Sequence, residues 1–492
     1  MPENNIPGIM KSKIYLISTL LLLAAYAHGQ KISKEKQKII DALDQKQALY
    51  SGTAMQIWNH AEIGYKEFKS CVLLQDLLKK EGFEVEEGVA SLPTGFIASY
   101  GSGKPVVGIL AEYDALPGVS QEAVPYQKER EDGTKSGHAC GHHLFGTGGV
   151  AAAVEVKNWL SETGSQGTIR VYGTPAEEGG SGKVYMARDG LFDDVDVAMY
   201  WHPGNQNSVR VASNLAIASV KYRFKGISTH AAGAPERGRS ALDGVESMNY
   251  MMNLMREHVP AESRIHYVIT KGGEAPNVVP AFAEVYYFLR HPDMQLVKDI
   301  LERSIKAAEG AARGTGTTME YELTGGSFNI LPNTVLAKVM YKNLTMVGGV
   351  NYSPEEREFA EKLMTTYKSD GLTPEMAAQV EPFVISEIAA NYSTDAGDVS
   401  WIVPMVSMSS ATWPPGTPGH SWQAVAAGGT SMGVKGMMVS SKTMAMTVID
   451  IFKDPSIVDK AKAELEKRRG KDFVYKPIIG DREPALDYAG EH

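Results

Sequence analysis

One continuous apolar run, Val106–Ala111, constrains the fold more than any other segment of the chain. A run without polar alternation is typical of a parallel strand, because such a strand is buried on both faces. Further strand patterns at 167–175 and 195–204 alternate with helical patterns, and that alternation predicts an α/β fold. We expect a mixed-sheet catalytic domain with helices on both faces, and ligands at the carboxyl ends of its strands.

The pattern changes near residue 215 and changes back near residue 330. Between these points the strand and helix signals follow the order β-α-β-β-α-β, which is the order of a ferredoxin-like α+β module. A chain of 492 residues is also longer than one core usually supports. We therefore predict an inserted domain at 215–330 within a catalytic domain made of residues 30–214 and 331–492. Two helices are predicted to open the catalytic domain, over residues 32–50 and 51–82.

The N-terminus predicts export. A basic segment precedes a 14-residue apolar run, Ile14–Ala27, and small residues follow it. This pattern is typical of a secretory signal peptide, and the run is shorter than a membrane span requires. We expect residues 1–29 to be removed by cleavage after Ala27 or Gly29, giving a periplasmic or secreted protein with no membrane segment.

Composition limits the partners of the protein. The formal net charge is −9, and no block of lysine and arginine interrupts the sequence. A nucleic-acid-binding protein normally presents a basic face, so this class is excluded. A small molecule is the expected partner.

A dense group of metal-binding side chains marks the segment "GHACGHHLFG", which places three histidines and a cysteine within residues 137–146. Other donors stand at the ends of predicted strands or in a glycine- and proline-rich loop. Thiolate, imidazole and carboxylate together suit zinc or a similar divalent ion. The candidate donors are Asp114, Cys140, His142, Glu177, Glu178, His202 and His420.

The two cysteines allow two interpretations. Cys71 lies in an amphipathic helical pattern and is predicted to be a core residue, whereas Cys140 lies in the histidine group. An exported protein tolerates disulfides, so the two residues have the option of pairing. A disulfide would remove the Cys140 thiolate, and we favour the metal-ligand interpretation.

Eight motifs appear in one order along the chain: "AEYDALPG", "GHACGHHLFG", "TPAEEGG", "WHPG", "STHAAGAPERGRSALD", "NVVP", "STDAGDVSW" and "GTPGHSWQ". Together they resemble the metal-dependent aminoacylase/carboxypeptidase G-type amidohydrolase family, over nearly the whole chain after the leader. The resemblance implies two divalent metal ions, zinc or manganese. Its implied ligands are Cys140, His142, Glu178, His202 and His420.

The resemblance also implies further roles. Glu177 corresponds to the family's general base, and Asp114 to an acid that orients a metal-bound histidine. His230 corresponds to a histidine that reaches the partner's active site and stabilises an oxyanion, so a homodimer through the inserted domain is expected. Asn277 and, with less support, Arg290 correspond to substrate contacts.

Three positions are less clear. Relatives outside this branch carry a histidine ligand where this chain has Glu112, and His143 stands where aspartate or asparagine is common. A hydrogen bond to a metal ligand is the best interpretation of His143, and His138 is either a turn or a rim residue. Asp395 and Asp398 are expected to brace a loop near the metals.

The implied activity is hydrolysis of the amide bond of N-acylated or aroylated amino acids, including substrates like p-aminobenzoyl-glutamate, by a metal-activated water with a glutamate base. Cleavage of small dipeptides is an alternative. A non-catalytic ligand-binding relative is disfavoured because the base and all five implied ligands are present in the sequence.

Overall fold

The computed structural model describes residues 32–488, so the predicted signal peptide lies outside the described residues. The strands of this part of the chain are β1 (Glu84–Glu87), β2 (Phe96–Ser102), β3 (Val106–Ala111), β4 (Leu116–Pro117), β5 (Ser136–Gly137), β6 (Gly167–Gly173), β7 (Val197–Gly204), β8 (Arg210–Val211), β9 (Ala216–Lys225), β10 (Arg264–Lys271), β11 (Phe282–His291), β12 (Thr318–Ser327), β13 (Val384–Ile385) and β14 (Met405–Ala411).

The α-helices of the same part are α1 (Lys34–Gln45), α2 (Gln47–His60), α3 (Phe68–Lys80), α4 (His142–Thr163), α5 (Gly182–Arg188), α6 (Ala241–Met255), α7 (Met294–Thr315), α8 (Thr334–Val347), α9 (Pro354–Met364), α10 (Ala396–Ile402), α11 (Trp422–Gly428), α12 (Ser431–Lys453) and α13 (Ser456–Arg469). None of the described helices is both long enough and apolar enough to span a membrane.

The main sheet has six strands in the order β1-β2-β6-β3-β7-β14. Neighbouring strands from β6 to β14 run parallel, whereas β1, β2 and β6 pair antiparallel, so the sheet is mixed as predicted. The apolar run 106–111 forms β3 inside this sheet, and all of its residues are buried. This confirms the α/β fold that the run and its alternating neighbours indicate.

Helices cover both faces of the six-stranded sheet. Val107 and Ile109 of β3 join a buried cluster with residues of α4 and α12. Val106 and Leu110, which point the other way, join a second cluster with residues of α5 and α10. The side-chain alternation of a strand therefore puts β3 into two cores at once.

A second sheet contains four antiparallel strands in the order β10-β11-β9-β12. Its elements follow the chain order β9, α6, β10, β11, α7, β12, which is the β-α-β-β-α-β order expected between 215 and 330. Buried residues of these strands and both helices form a third cluster. Their assignment as a separate domain stays a prediction.

The N-terminal helix predictions are wrong in their boundaries. The first break falls at Lys46 rather than at residue 50, and the predicted helix 51–82 is two helices, α2 and α3. Helix α2 ends because Ala61 takes a left-handed conformation with φ 42°, which a helical pattern does not reveal. The intervening segment carries Glu67, whose buried carboxylate reaches the site described next.

Candidate metal centre and active site

The candidate site lies at the carboxyl ends of three neighbouring strands. Glu112 and Asp114 follow β3, Glu177 and Glu178 follow β6, and His202 lies near the end of β7. Because these strands are parallel neighbours, their carboxyl ends meet at one edge of the sheet. Residues distant in sequence are brought together there.

The histidine-rich segment approaches the same edge through a tight bend. Gly141 precedes α4 with a left-handed φ of 77°, and a Cβ at this position would lie 2.6 Å from the ring of Pro203. Glycine is therefore needed for close contact between this bend and β7. As a result, Cys140 Sγ lies 3.4 Å from His202 Nε2.

All five ligands implied by the resemblance come together in two sets that share Cys140. In each set the donor atoms lie within 4.8 Å of one another. The first set is Cys140, His142 and His202, and the second is Cys140, Glu178 and His420. Two three-donor sets with a common thiolate are an arrangement suited to two metal ions.

The two buried imidazoles are oriented for coordination through Nε2. His142 Nδ1 donates to Asp114 Oδ1 at 2.8 Å, and His202 Nδ1 donates to the Pro203 carbonyl at 2.7 Å. A histidine whose Nδ1 is held this way presents the lone pair of Nε2. Asp114 Oδ2 also accepts from the backbone N–H of Glu178 at 2.9 Å, so one carboxylate positions two candidate ligands.

The donor set fits divalent metal ions. Three buried atoms at the site have no hydrogen-bond partner within residues 32–488: Glu112 Oε2, His142 Nε2 and Glu178 Oε1. Unpartnered buried polar atoms are rare, and a cation would satisfy all three. Burial also raises the pKa of the Cys140 thiol, and Glu178 adds to this shift, so a bound cation is needed to hold the thiolate.

Glu177 lies beside the metal-ligand set and has the properties of a base. Burial raises the pKa of Glu177, and the charges of Glu112 and Glu178 raise it further. A carboxylate with a raised pKa accepts a proton more readily near neutral pH. Its loop is held by Glu67, whose Oε1 accepts from the Ala176 N–H at 2.8 Å.

Lys183 is a site residue that the sequence reasoning missed. Its fully buried ammonium lies 2.7 Å from Glu112 Oε1 and 2.5 Å from Asp395 Oδ1. It therefore joins the loop after β3 to the start of α10. A lysine inside the otherwise apolar segment "GKVYMA" is the one sequence signal for this role. Asp398 accepts from the Phe328 N–H at 2.8 Å and from the Tyr475 hydroxyl at 2.6 Å, which is a bracing contact.

The other two histidines of the motif contact the backbone of neighbouring elements. His138 Nε2 lies 3.0 Å from the Ile57 carbonyl, and His143 Nε2 lies 3.0 Å from the Gly428 carbonyl. Burial lowers the pKa of His138 to about 3, so its ring is neutral. Neither histidine belongs to a donor set formed by the described residues. The hydrogen bond expected from His143 is made to a carbonyl and not to a metal ligand.

A cavity of about 1040 Å³ opens onto the metal-ligand set. Arg290 lines it, with Nη1 3.4 Å from Ser393 Oγ and a buried Nε that has no partner within the described chain. Arg210 lines the wall as well. The two guanidiniums give the cavity a positive region beside the acidic metal-ligand set.

His230 and Asn277 lie together, but away from the residues that line this cavity. The Ala231 N–H donates to the Asn277 carbonyl at 2.9 Å, and both residues are exposed. His230 Nδ1 accepts from the N–H groups of Ala232 and Gly233 at 3.1 and 3.0 Å. Because Nδ1 is an acceptor, Nε2 carries the proton and faces outward as a donor.

Both cysteines are free in the structure. Cys71 is buried in α3 with its thiol 3.1 Å from the Thr94 carbonyl. This agrees with the interpretation of Cys71 as a core residue and of Cys140 as unpaired.

Residues 108–477 match the sequence pattern of Peptidase family M20/M25/M40. The chain is 41% identical over 464 residues to one of the two kinds of subunit of p-aminobenzoyl-glutamate hydrolase from Escherichia coli (strain K12), covering 89% of this chain and 96% of that relative. It is 26% identical to the Xaa-Arg dipeptidase of Mus musculus, covering 88% and 92%. A putative aminohydrolase from methicillin-resistant Staphylococcus aureus shares the fold with a TM-score of 0.63 at 18% identity, covering 84% and 99%. The chain therefore belongs to Peptidase family M20/M25/M40 and is a metal-dependent hydrolase of amide bonds.

Proposed function

We propose that this protein hydrolyses the amide bond of N-acylated or aroylated amino acids, with aroyl glutamates of the p-aminobenzoyl-glutamate type as the preferred substrates. The observation that carries the proposal is the pair of donor sets sharing Cys140, with Glu177 beside them at the floor of a cavity lined by Arg290. The relative with 41% identity is named for hydrolysis of this substrate.

Two divalent ions, zinc or manganese, are proposed at the two donor sets. When bound, they polarise the scissile carbonyl and acidify a water molecule. Cys140, His142 and His202 would hold one ion, and Cys140, Glu178 and His420 the other.

Glu177 is proposed to take the proton of the attacking water and to deliver it to the leaving amine. Its neighbour Glu178 faces the metal-ligand set, so adjacent carboxylates serve two tasks. Asp114 is proposed to orient His142 and the Glu178 backbone through its two oxygens.

The β9-to-β12 unit is proposed to be an inserted ferredoxin-like dimerisation and lid domain. The outward-facing Nε2–H of His230 would donate to the oxyanion in the active site of the partner subunit, with Asn277 beside it. Exposure of both residues in one chain supports this arrangement. The relative with 41% identity is itself named as a subunit, so a second, different chain is the competing partner.

Charge on the cavity wall favours an acidic amino acid in the substrate. The lining cations are Arg210 and Arg290, and the lining Asp395 is already paired with Lys183. An arginine side chain forms charge-assisted hydrogen bonds with a substrate carboxylate. A dipeptide with a basic carboxyl end, the alternative suggested by the Xaa-Arg dipeptidase relative, would meet like charge on this wall.

Substrate choice is tested by a panel of N-acyl amino acids and dipeptides assayed with zinc- and manganese-loaded protein. We expect the highest kcat/KM for aroyl glutamate, lower values for aroyl glycine and aroyl leucine, and the lowest for aroyl arginine. Preference for a dipeptide with a basic carboxyl end would contradict the proposal. No turnover of any amide with fully loaded metal would overturn the mechanism.

Export is proposed from the first 29 residues. N-terminal sequencing of the protein from a Gram-negative host should begin just after Ala27 or Gly29, in the periplasmic fraction. An intact N-terminus in the cytosolic fraction would contradict this.

A further inference from the structure

The C-terminal segment beyond residue 477, where the family match ends, reaches the active site. Tyr488 packs edge-on against Tyr65, with ring centroids 5.7 Å apart at 86°. Its ring also lies over Gly179, directly after the Glu177–Glu178 pair: a Cβ at Gly179 would lie 2.8 Å from Tyr488 Cε2. The chain end therefore contacts the loop that carries the candidate base and a candidate ligand.

The same loop is held from its inner side by Tyr65. The Tyr65 hydroxyl donates to the Gly180 carbonyl at 2.7 Å, and the Tyr65 side chain is 1% exposed. The loop thus lies between a buried hydrogen bond and the ring of Tyr488. Burial raises the pKa of the Tyr488 phenol and nearby carboxylates, first Asp114, raise it further, so the hydroxyl stays neutral.

Several contacts anchor the segment before it reaches Tyr488. The Arg188 guanidinium donates to the Arg482 carbonyl at 2.7 Å, which ties the segment to α5, the helix that follows the loop. The Arg482 guanidinium pairs with Glu322 Oε1 at 3.0 Å on β12. Ile479 is 5% exposed and joins the buried cluster under α5. These contacts connect the four-stranded sheet to the loop.

We propose that Tyr488 is a positioning residue for the reaction, holding the Glu177–Glu178 loop through packing of its ring while the segment 478–488 fixes its place. The inference rests on the roles proposed for Glu177 and Glu178. Side chains that hold a catalytic group in register act on rate, because a displacement near 1 Å costs on the order of 10²-fold. Hydrogen bonding by the phenol is not required.

Three full-length variants test the proposal. Tyr488→Ala should lower kcat by about 10- to 100-fold while KM changes by less than about threefold, since the loop moves but the substrate wall does not. Tyr488→Phe should restore kcat to within about twofold of the wild type, because it keeps the ring. Asp487→Ala is the matched control at an exposed neighbouring position and should behave as the wild type.

A second measurement does not depend on turnover or on metal. In metal-free protein, hydrogen exchange of peptides covering residues 174–183 should be faster in Tyr488→Ala than in the wild type and in Tyr488→Phe. If no amide is hydrolysed by the wild type, the proposed function fails, and this exchange result still decides the positioning role.

Arg482→Ala tests whether the segment acts as one unit. It should lower kcat in the same direction as Tyr488→Ala, and the double variant should be no worse than Tyr488→Ala alone. Unchanged kcat in Tyr488→Ala, failure of Tyr488→Phe to restore it, or an exchange increase spread evenly over the whole protein would each overturn the proposal.

Discussion

The metal-ligand set and the His230–Asn277 pair differ in how complete they are within one chain. The five candidate ligands converge from four separate segments, and their Nδ1 and carboxylate contacts are already made. His230 and Asn277 are equally well ordered by local hydrogen bonds, yet their polar groups are exposed and away from the cavity lining. One region is a finished site, and the other is a prepared surface.

The difference separates two kinds of structural support. Parallel strand ends bring ligands together within one protomer, because neighbouring strands must end at the same edge. Residues on an antiparallel sheet of a different unit have no such constraint, so a second protomer is the simplest way for them to reach substrate.

Removal of the shared ligand should have the largest effect. We expect Cys140→Ser to lose metal and nearly all activity, because a hydroxyl is a poor replacement for a thiolate. Elemental analysis after dialysis measures the metal content, and Cys71→Ser, at the other free cysteine, is the matched control and should keep its metal. Equal metal content in Cys140→Ser and the wild type would remove Cys140 from the ligand set.

Loss of the base should leave the metal-ligand set intact and reduce the rate. Glu177→Gln should lower kcat by about 10²- to 10⁴-fold with unchanged metal content, since the amide keeps the shape of the carboxylate but takes no proton. Steady-state kinetics with elemental analysis measures both quantities. A kcat near that of the wild type would rule out Glu177 as the base.

Subunit mixing tests the exposed surface. His230→Ala should lower kcat by about 10²- to 10³-fold, as expected for loss of an oxyanion donor. When it is mixed with inactive Glu177→Gln under conditions of subunit exchange, hybrids should form about half of the dimers, and one site of each hybrid is intact. Activity should therefore recover to about a quarter of the wild-type value per site.

An absence of recovery despite demonstrated exchange would place His230 in its own protomer or outside the reaction. Recovery only after addition of a different chain would favour a hetero-oligomer.

Asp114→Asn should have an intermediate effect on the metal-ligand set. The amide keeps one contact at best to His142 Nδ1, so we expect metal affinity or activity to fall by about 10- to 100-fold. Competition with a metal chelator measures the affinity. An unchanged affinity and rate would show that the His142 orientation needs no carboxylate.

The smallest effect on activity is expected within the histidine motif itself. His143→Asn should keep its metal content and kcat, but lose about 1–3 kcal/mol of folding stability, because the buried Gly428 carbonyl loses its partner. Denaturant unfolding gives the stability. A loss of metal instead would mean that His143 supports the ligand set directly.

The candidate ligands were predictable from sequence because each lies in a short motif with a local cause. Cys140 and His142 share a glycine-rich bend, and Glu177 and Glu178 directly follow a strand. A strand of continuous apolar residues fixes a parallel sheet, and parallel strands fix where their ends meet. The α/β fold and the identities of the ligands therefore follow from local patterns.

Tertiary structure alone decided what supports these residues. The sequence placed Glu67 inside a long helix, and only the left-handed turn at Ala61 brings its carboxylate to Ala176. Lys183 meets Glu112 and Asp395 across more than 70 and 200 positions of the chain, and Tyr488 reaches Gly179 from the C-terminal segment. No periodicity records such contacts, because they depend on how separate elements pack and not on the conformation of either segment by itself.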